Sequence, residues 1–215
     1  MADAATSDVL HAGGFLLSEA NGELSRESGT LLSGQNLVAG AIVGKITVAG
    51  ASASAVSGTG NGAFALDGTT PVLAGAIAGD YKVECIAAAT NGGEFAVKDP
   101  NNTVIGFYKV GAAAFATQIK FTIADGGTDF VTGDVFTVTV AAGSGKFKAV
   151  NSSAVDGSAV AYGILFEAVN ASAADKPCVI IRRQAEVDGD LLTLGTSGYS
   201  STVATQLESL GIKQR

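Results

Sequence analysis

The sequence predicts a mainly β protein: a small β-barrel or β-clip with a short C-terminal helix, interrupted by an inserted antiparallel β-sandwich. Three observations lead to this fold class. The chain has 29 Gly and only 3 Pro among 215 residues, which is typical of many tight turns in a globular protein. Two apolar blocks rich in strand-forming residues are separated by a long Gly- and Ala-rich region. Within that region, short segments alternate between apolar and polar residues with a period of two.

Changes in composition set the predicted domain boundaries. We expect a flexible N-terminal arm over residues 1–14, a first domain built from residues 15–49 and 146–215, and an inserted domain over residues 50–145. The connector Gly50–Gly62, which reads GASASAVSGTGNG, consists mostly of small residues, and AAGSG at Ala141–Gly145 leads the chain back. A chain of this length accommodates two modest domains.

The N-terminal segment is small and polar up to Gly14 and has no periodicity, which is typical of a flexible arm. Phe15, Leu16 and Leu17 then form an apolar cluster before a turn at Asn21–Gly22. Two interpretations stay open. The cluster is either a strand that docks on its own domain, or part of an arm that becomes ordered only when it binds a partner.

The first apolar block contains two short runs of strand-forming residues punctuated by glycine. The runs are Leu31 and Leu32, followed by Ile42, Val43, Ile46 and Val48. A unit this small cannot bury its own apolar face, so we expect the second apolar block to pack against it.

The second block begins after Asp156 and supplies the partner strands. Alternation within Val160–Ala168 places Val160, Tyr162, Ile164 and Phe166 on one predicted face. The segment Pro177–Arg182 is almost continuously apolar, which predicts a central strand. Ser200 or Ser201 begins a predicted C-terminal helix with Val203, Leu207 and Leu210 on one stripe, and Gly211 ends it.

The inserted region has the pattern of half-buried antiparallel strands. Turn residues separate segments in which every second residue is apolar. The predicted inward-facing residues are Tyr81, Val83 and Cys85; Phe95 and Val97; Ile119, Phe121 and Ile123; and Phe136, Val138 and Val140.

Charge and composition make several functional classes improbable. The formal net charge of −7 disfavours direct nucleic-acid binding, because an acidic surface repels phosphates. Arg182–Arg183, the one adjacent basic pair, is interpreted as a solvated or interface feature. The sequence contains no stretch of about 18 apolar residues, so it predicts no membrane span. The N-terminus does not resemble a secretion signal, so we expect synthesis in the cytoplasm, with Cys85 and Cys178 as buried free thiols; a disulfide between them stays open.

The sequence contains no convincing catalytic or metal-binding pattern. His11 is the one histidine and lies in the predicted arm, which argues against a catalytic triad or a zinc site. The carboxylates of DGGTDFVTGD, which are Asp125, Asp129 and Asp134, could hold calcium but are better interpreted as turn caps. Asp188 and Asp190 flank a glycine in a predicted turn and do not indicate a glycosidase pair. We therefore expect no enzymatic activity, no metal and no cofactor.

Several segments resemble the head decoration proteins of tailed bacteriophages, the family of the phage lambda capsid decoration protein. The resemblance lies in SRESGTLLSGQNLVAGAIVGKIT, AVAYGILFEAV, CVIIRRQAEVDGDLL and TQLESLGI, which together cover about half of the chain. It implies a protein of the virion that binds the major capsid protein on the outer surface of the expanded head. It further implies a homotrimer at three-fold sites that stabilises the shell.

The resemblance also implies roles for particular residues. The capsid-binding arm would include Asp8, Val9, Leu10, Phe15, Leu16, Leu17 and Glu19, with residues from about Asp8 to Leu24 ordering only on the capsid. Deletion of Met1–Gly14 would then weaken capsid binding and leave the fold intact. The trimer interface would include Arg182, Arg183, Leu207 and Leu210.

An alternative function is a tail- or fibre-type adhesion or receptor-binding module. In that case the inserted domain would contact a host surface, and Tyr108 and Tyr199 would be candidate exposed aromatic residues. The absence of Trp and the scarcity of Tyr weaken this alternative, because carbohydrate binding usually relies on aromatic stacking.

Overall fold

The computed structural model describes residues 10–21, 23–194 and 201–215. The protein is mainly β, with 47% strand, 6% helical residues, one short C-terminal helix and a small barrel-like sheet, which confirms these parts of the predicted fold class. Within the described residues, the first four strands along the chain are β1 (Leu16–Glu19), β2 (Arg26–Leu31), β3 (Gln35–Leu37) and β4 (Ile42–Lys45). The strands that follow are β5 (Val48–Ala53), β6 (Ala63–Leu66), β7 (Gly79–Ala89), β8 (Gly92–Lys98), β9 (Val104–Lys109), β10 (Phe115–Ala116), β11 (Lys120–Ala124) and β12 (Val135–Ala142). The remaining elements are β13 (Phe147–Ala149), β14 (Ala161–Leu165), β15 (Val169–Ala171), β16 (Lys176–Ile181), β17 (Ala185–Val187), a 3₁₀ turn (Gly189–Leu191), α1 (Ser201–Ser209) and β18 (Ile212–Gln214).

The described chain divides into two compact units. The barrel unit combines the residues up to Ile46 with Gly145–Ala154 and the residues from Ser158 onward. The second unit, called the inserted unit, contains Thr47–Ser144 and Val155–Gly157. The domain boundaries given by the sequence stay a prediction.

Five strands of the barrel unit close into a small barrel in the order β13-β2-β16-β14-β4. Strand β16 pairs antiparallel with both β2 and β14, which explains why its sequence is almost continuously apolar. All five strands contribute side chains to one buried cluster, which fills the barrel interior. Its members include Leu31, Val43, Phe147, Leu165, Cys178 and Ile180.

A second core covers the outside of the barrel strands. Neighbouring residues in a strand point to opposite faces, so Ile42, Ile164 and Ile181 leave the interior and join this outer core. A three-stranded sheet, β1-β17-β18, and helix α1 pack over them. The predicted apolar stripe of the helix is present, with Val203 and Leu207 buried.

The inserted unit contains two antiparallel sheets, β5-β12-β7-β8-β9 and β10-β11-β6. One apolar core includes residues of both sheets, and its aromatic rings are in direct contact. Phe64, for example, stacks on Phe121 with ring centroids 4.6 Å apart and also meets Phe136 at 5.1 Å. All of the residues predicted to face inward are buried. The assignment of this unit to the sandwich class stays a prediction.

Both cysteines are buried and free. Cys85 belongs to the core of the inserted unit and Cys178 to the barrel interior. Burial raises the pKa of the Cys178 thiol to about 11, because a thiolate there would lose its hydration. Burial also raises the pKa of Cys85 above its ordinary value. Both thiols therefore act as small apolar side chains of the core.

Candidate functional site

The residues predicted to form the arm are docked on the barrel unit from Leu10 onward. Phe15 is fully buried in the outer core, and Leu10 and Leu16 pack against it. The side chain of Leu17 points outward and is 58% exposed. Asp8 and Val9 lie outside the described residues.

Strand β1 pairs with β17 of the same chain, in a register that sets Glu19 opposite Ala185. Glu19 accepts two hydrogen bonds from the guanidinium of Arg26, one of them 3.0 Å from Nε. These bonds hold the pKa of Glu19 below its ordinary value. Residues 16–19 therefore adopt the first alternative considered above, a strand docked on its own domain. Among the described strands, β1 is the outermost of its sheet, so its second edge has no strand partner there.

The four residues predicted for a trimer interface differ in what they expose. Leu207 is fully buried in its own chain, because the helix uses it to cover the outer core, and it offers no surface to another copy. Leu210 is half-buried against the same core. Arg183 is exposed and Arg182 half-buried, both immediately after β16. The sequence pattern identified the apolar stripe correctly, but a stripe of three residues has to serve the chain's own core first.

Arg182 and Arg183 belong to a charged cluster that we call the Tyr162 patch, formed by Glu27, Lys45, Tyr162, Arg182 and Arg183. Its centre is the half-buried ring of Tyr162. The guanidinium carbon of Arg182 lies 4.0 Å from the ring centroid, and the ammonium of Lys45 lies 4.8 Å from it. The Tyr162 hydroxyl donates a hydrogen bond of 3.0 Å to Glu27.

The patch is positioned by the barrel strands. Lys45 ends β4, Tyr162 is the second residue of β14, and Glu27 is the second residue of β2. Inside the barrel the Tyr162 ring stacks on Phe147, with centroids 5.5 Å apart. Gly29 allows Phe147 to lie there, since a Cβ at position 29 would come within 2.9 Å of the ring carbon Cζ. The patch therefore rests on a packed aromatic base.

Neither tyrosine considered as an exposed aromatic residue for adhesion is seen at the surface of the described structure. Tyr108 is buried, and its hydroxyl accepts a hydrogen bond from the backbone N–H of Ile123. Tyr199 lies outside the described residues. On the outermost strand β9, Phe107 is instead 60% exposed, and Val104 is also exposed. Phe107 is the neighbour of buried Tyr108 in the strand, so the two side chains point to opposite faces. The period-two pattern could therefore have identified Phe107 as the exposed aromatic residue.

Three of the five carboxylates considered for catalysis or metal binding, Asp129, Asp134 and Asp188, accept hydrogen bonds from backbone N–H groups. Among the described residues, a buried oxygen of Asp125 has no hydrogen-bond partner. The oxygens of Asp134 accept hydrogen bonds from the backbone N–H groups of Thr59, Gly60 and Val131. Asp188 accepts from the N–H of Asp190 within a turn. Within the described part of the chain, no group of three or more potential metal-ligating side chains occurs. No described helix is long and apolar enough to cross a membrane.

Comparison with known proteins adds one finding to this geometry. The chain matches the family model of Bacteriophage lambda head decoration protein D over residues 5–212, almost its full length. No curated protein and no solved structure matches it significantly.

Proposed function

The chain belongs to the phage lambda head decoration protein D family, and from this membership we propose that it binds the outer surface of the expanded head as a homotrimer at three-fold sites and stabilises the shell. Head decoration proteins are structural proteins of the virion that associate with the capsid, and they are not enzymes. The observation that carries the proposal is the family match, because it extends over residues 5–212.

Binding alone is enough to stabilise a shell. A protein that binds the assembled lattice, and not the released capsid subunits, shifts the equilibrium toward the intact shell by mass action. A trimer that contacts three capsid subunits at once adds avidity, since the second and third contacts form at a high effective concentration. Neither effect requires a catalytic group, a metal or a cofactor.

Shell stabilisation is tested by heating expanded heads with and without this protein. With the protein at one hundred times its dissociation constant, each occupied site stabilises the lattice by about 2.7 kcal/mol. We therefore expect packaged DNA to become accessible to an intercalating dye at a clearly higher temperature in decorated heads. The same release temperature for both samples, at confirmed occupancy, would contradict the stabilising role.

We propose that the capsid contact is made by the N-terminal segment together with the open edge of β1. Strand addition at this edge would supply main-chain hydrogen bonds from a segment of the major capsid protein. Leu17, exposed on the same strand, would add an apolar contact. The proposed strand addition requires β1 to be held firmly on its own unit. This positioning role would fall to Leu10, Phe15, Leu16 and Glu19.

Deletion of residues 2–9 is expected to weaken binding to expanded heads by about tenfold or more, because avidity multiplies a loss that each of three arms suffers. This deletion tests the arm more specifically than removal of Met1–Gly14, because it spares contacts that stabilise the fold. Gly13 donates a backbone hydrogen bond to Phe166, and Leu10 packs on the outer core. Binding is measured by co-sedimentation, with the melting temperature as the control for the fold. Unchanged binding by a normally folded deletion variant would exclude the arm from the contact.

A second role, contact with a host surface, is proposed for the inserted unit. The observation in its favour is the exposure of Phe107 and Val104 on the outermost strand β9, where large apolar side chains are unusual without a partner. This role accompanies decoration and does not replace it.

A further inference from the structure

The cations of the Tyr162 patch have unused hydrogen-bonding capacity. Arg182 Nε lies 4.0 Å from Glu27 Oε2, and the terminal nitrogen of Arg183 lies 3.6 Å from the same oxygen. Both distances exceed a hydrogen bond. Within the described residues, the guanidinium of Arg182 donates no hydrogen bond, although its side chain is only 22% exposed. The ring of Tyr162 orients this group, and its N–H groups have no hydrogen-bond acceptor among the described residues.

This arrangement suits a carboxylate. A guanidinium that stacks flat on an aromatic ring presents its N–H groups along its edge, where a carboxylate can accept two of them side by side. Lys45 brings a second positive charge within 4.8 Å of the centroid of the same ring. Three cations and one carboxylate leave the patch with two net positive charges, in a chain whose formal net charge is −7.

Exposed carboxylates of the same unit supply the complementary group. Four of them form no ion pair within the described part of the chain: Glu23, Glu167, Asp190 and Glu208. Copies with a charge of −7 repel one another, so a closed trimer needs attractive charge pairs where the copies meet. In a three-fold ring each interface joins two different surfaces, which allows a cationic patch on one copy to face carboxylates on the next.

We propose that the Tyr162 patch of one copy binds an exposed carboxylate of a neighbouring copy when the trimer forms on the head. The inference rests on the trimer of the proposed function and identifies the chemistry of its interface. Glu27 lowers the attraction of the patch for small free anions, whereas a carboxylate on an adjacent copy arrives at high effective concentration. The patch therefore selects a tethered partner.

The inference is tested by carbodiimide cross-linking on decorated expanded heads, because this reagent joins a lysine amine to a carboxylate in direct contact. With the wild-type protein, we expect cross-linked dimers and trimers whose linked peptides contain Lys45. Lys45→Arg should lose these cross-links, since a guanidinium keeps the positive charge but does not couple to an activated carboxylate. A Lys45 cross-link to the major capsid protein would overturn the proposal in favour of a capsid contact.

Charge reversal gives the second part of the test. Arg182→Glu is expected to weaken head binding by at least about tenfold at low salt, whereas Lys176→Glu, at the other end of β16, makes the same charge change away from the patch and should have little effect. Arg183→Glu repeats the test without disturbing the stack on Tyr162. Reversal of the carboxylate identified by cross-linking, combined with Arg182→Glu, should restore binding.

The outcomes separate this inference from the proposed function. A wild-type protein that does not bind heads would refute the proposed function. Wild-type binding that is unaffected by Arg182→Glu and Arg183→Glu, or that gives no Lys45 cross-link between copies, would overturn the inference alone. Melting temperatures of all variants show whether a loss reflects unfolding.

Discussion

Gly44→Ala is expected to destabilise the barrel unit by about 3 kcal/mol or more, because a methyl group at this position has no space. A Cβ on Gly44 would overlap the carbonyl oxygen of Ser158 and come within 2.7 Å of its Cα. Both are backbone atoms, so no side-chain rotation relieves the overlap. Gly44 also pairs with Lys148 and Ala161 on its two neighbouring strands, which prevents β4 from moving aside. The barrel would have to open to accept the substitution.

The change is measured as the free energy of unfolding from urea denaturation followed by circular dichroism. Gly50→Ala is the matched control: Gly50 lies in strand β5, is exposed, and has no atom within 4 Å of the position that a Cβ would occupy. We expect the control to change stability by less than about 0.5 kcal/mol. Equal stability of Gly44→Ala and wild type would contradict the tight approach of β4 to Ser158.

Asp134→Ala is expected to destabilise the inserted unit by about 3 to 5 kcal/mol. The buried carboxylate receives three backbone N–H groups, at 2.8 Å from Thr59, 2.9 Å from Gly60 and 3.0 Å from Val131. It therefore fastens the connector at Thr59–Gly60 to the turn before β12. Alanine would leave three donors without an acceptor, and the hydrogen bond from Gly60 is buried. Asp129→Ala is the control, since exposed Asp129 accepts one backbone bond, from Asn91.

The same carboxylate predicts the direction of a pH effect. Burial by itself would raise the pKa of Asp134, but the three N–H donors outweigh it and lower the pKa below its ordinary value. A pKa that is lower in the folded state contributes stability above the unfolded-state pKa, which is about 3.9, and this contribution is lost as the pH falls through the folded-state pKa. Wild type should therefore lose more stability than Asp134→Asn between about pH 5 and pH 2, measured by thermal unfolding. Parallel pH profiles would contradict this role.

The parts of the fold that depend on local pattern were predictable from the sequence. Alternation in the inserted unit identified the buried faces because antiparallel strands with one solvated face must alternate. The apolar run Pro177–Arg182 identified β16 as central, because a strand that is buried on both faces does not alternate between apolar and polar residues. The face predicted for Val160, Tyr162, Ile164 and Phe166 was less regular, because the pairing of β14 with β4 shifts register between Ala161 and Gly163. Val160 lies before the first residue of β14 and is exposed.

Features that join distant parts of the chain were not predictable from any local pattern. The Tyr162 patch brings together residues 27, 45, 162 and 182, which become neighbours only when the barrel closes. The arginine pair was a visible signal, but nothing near it in sequence indicated a tyrosine or a second cation. The docking of β1 on β17 also depends on a contact between segments that lie at opposite ends of the chain. Sequence alone therefore left both interpretations of the N-terminal segment open.

Co-sedimentation with cognate phage heads, expanded and unexpanded, tests the central claim most directly. The account predicts saturable binding to expanded heads alone, with a stoichiometry of three copies for each three-fold site. Absence of binding to either form would contradict decoration.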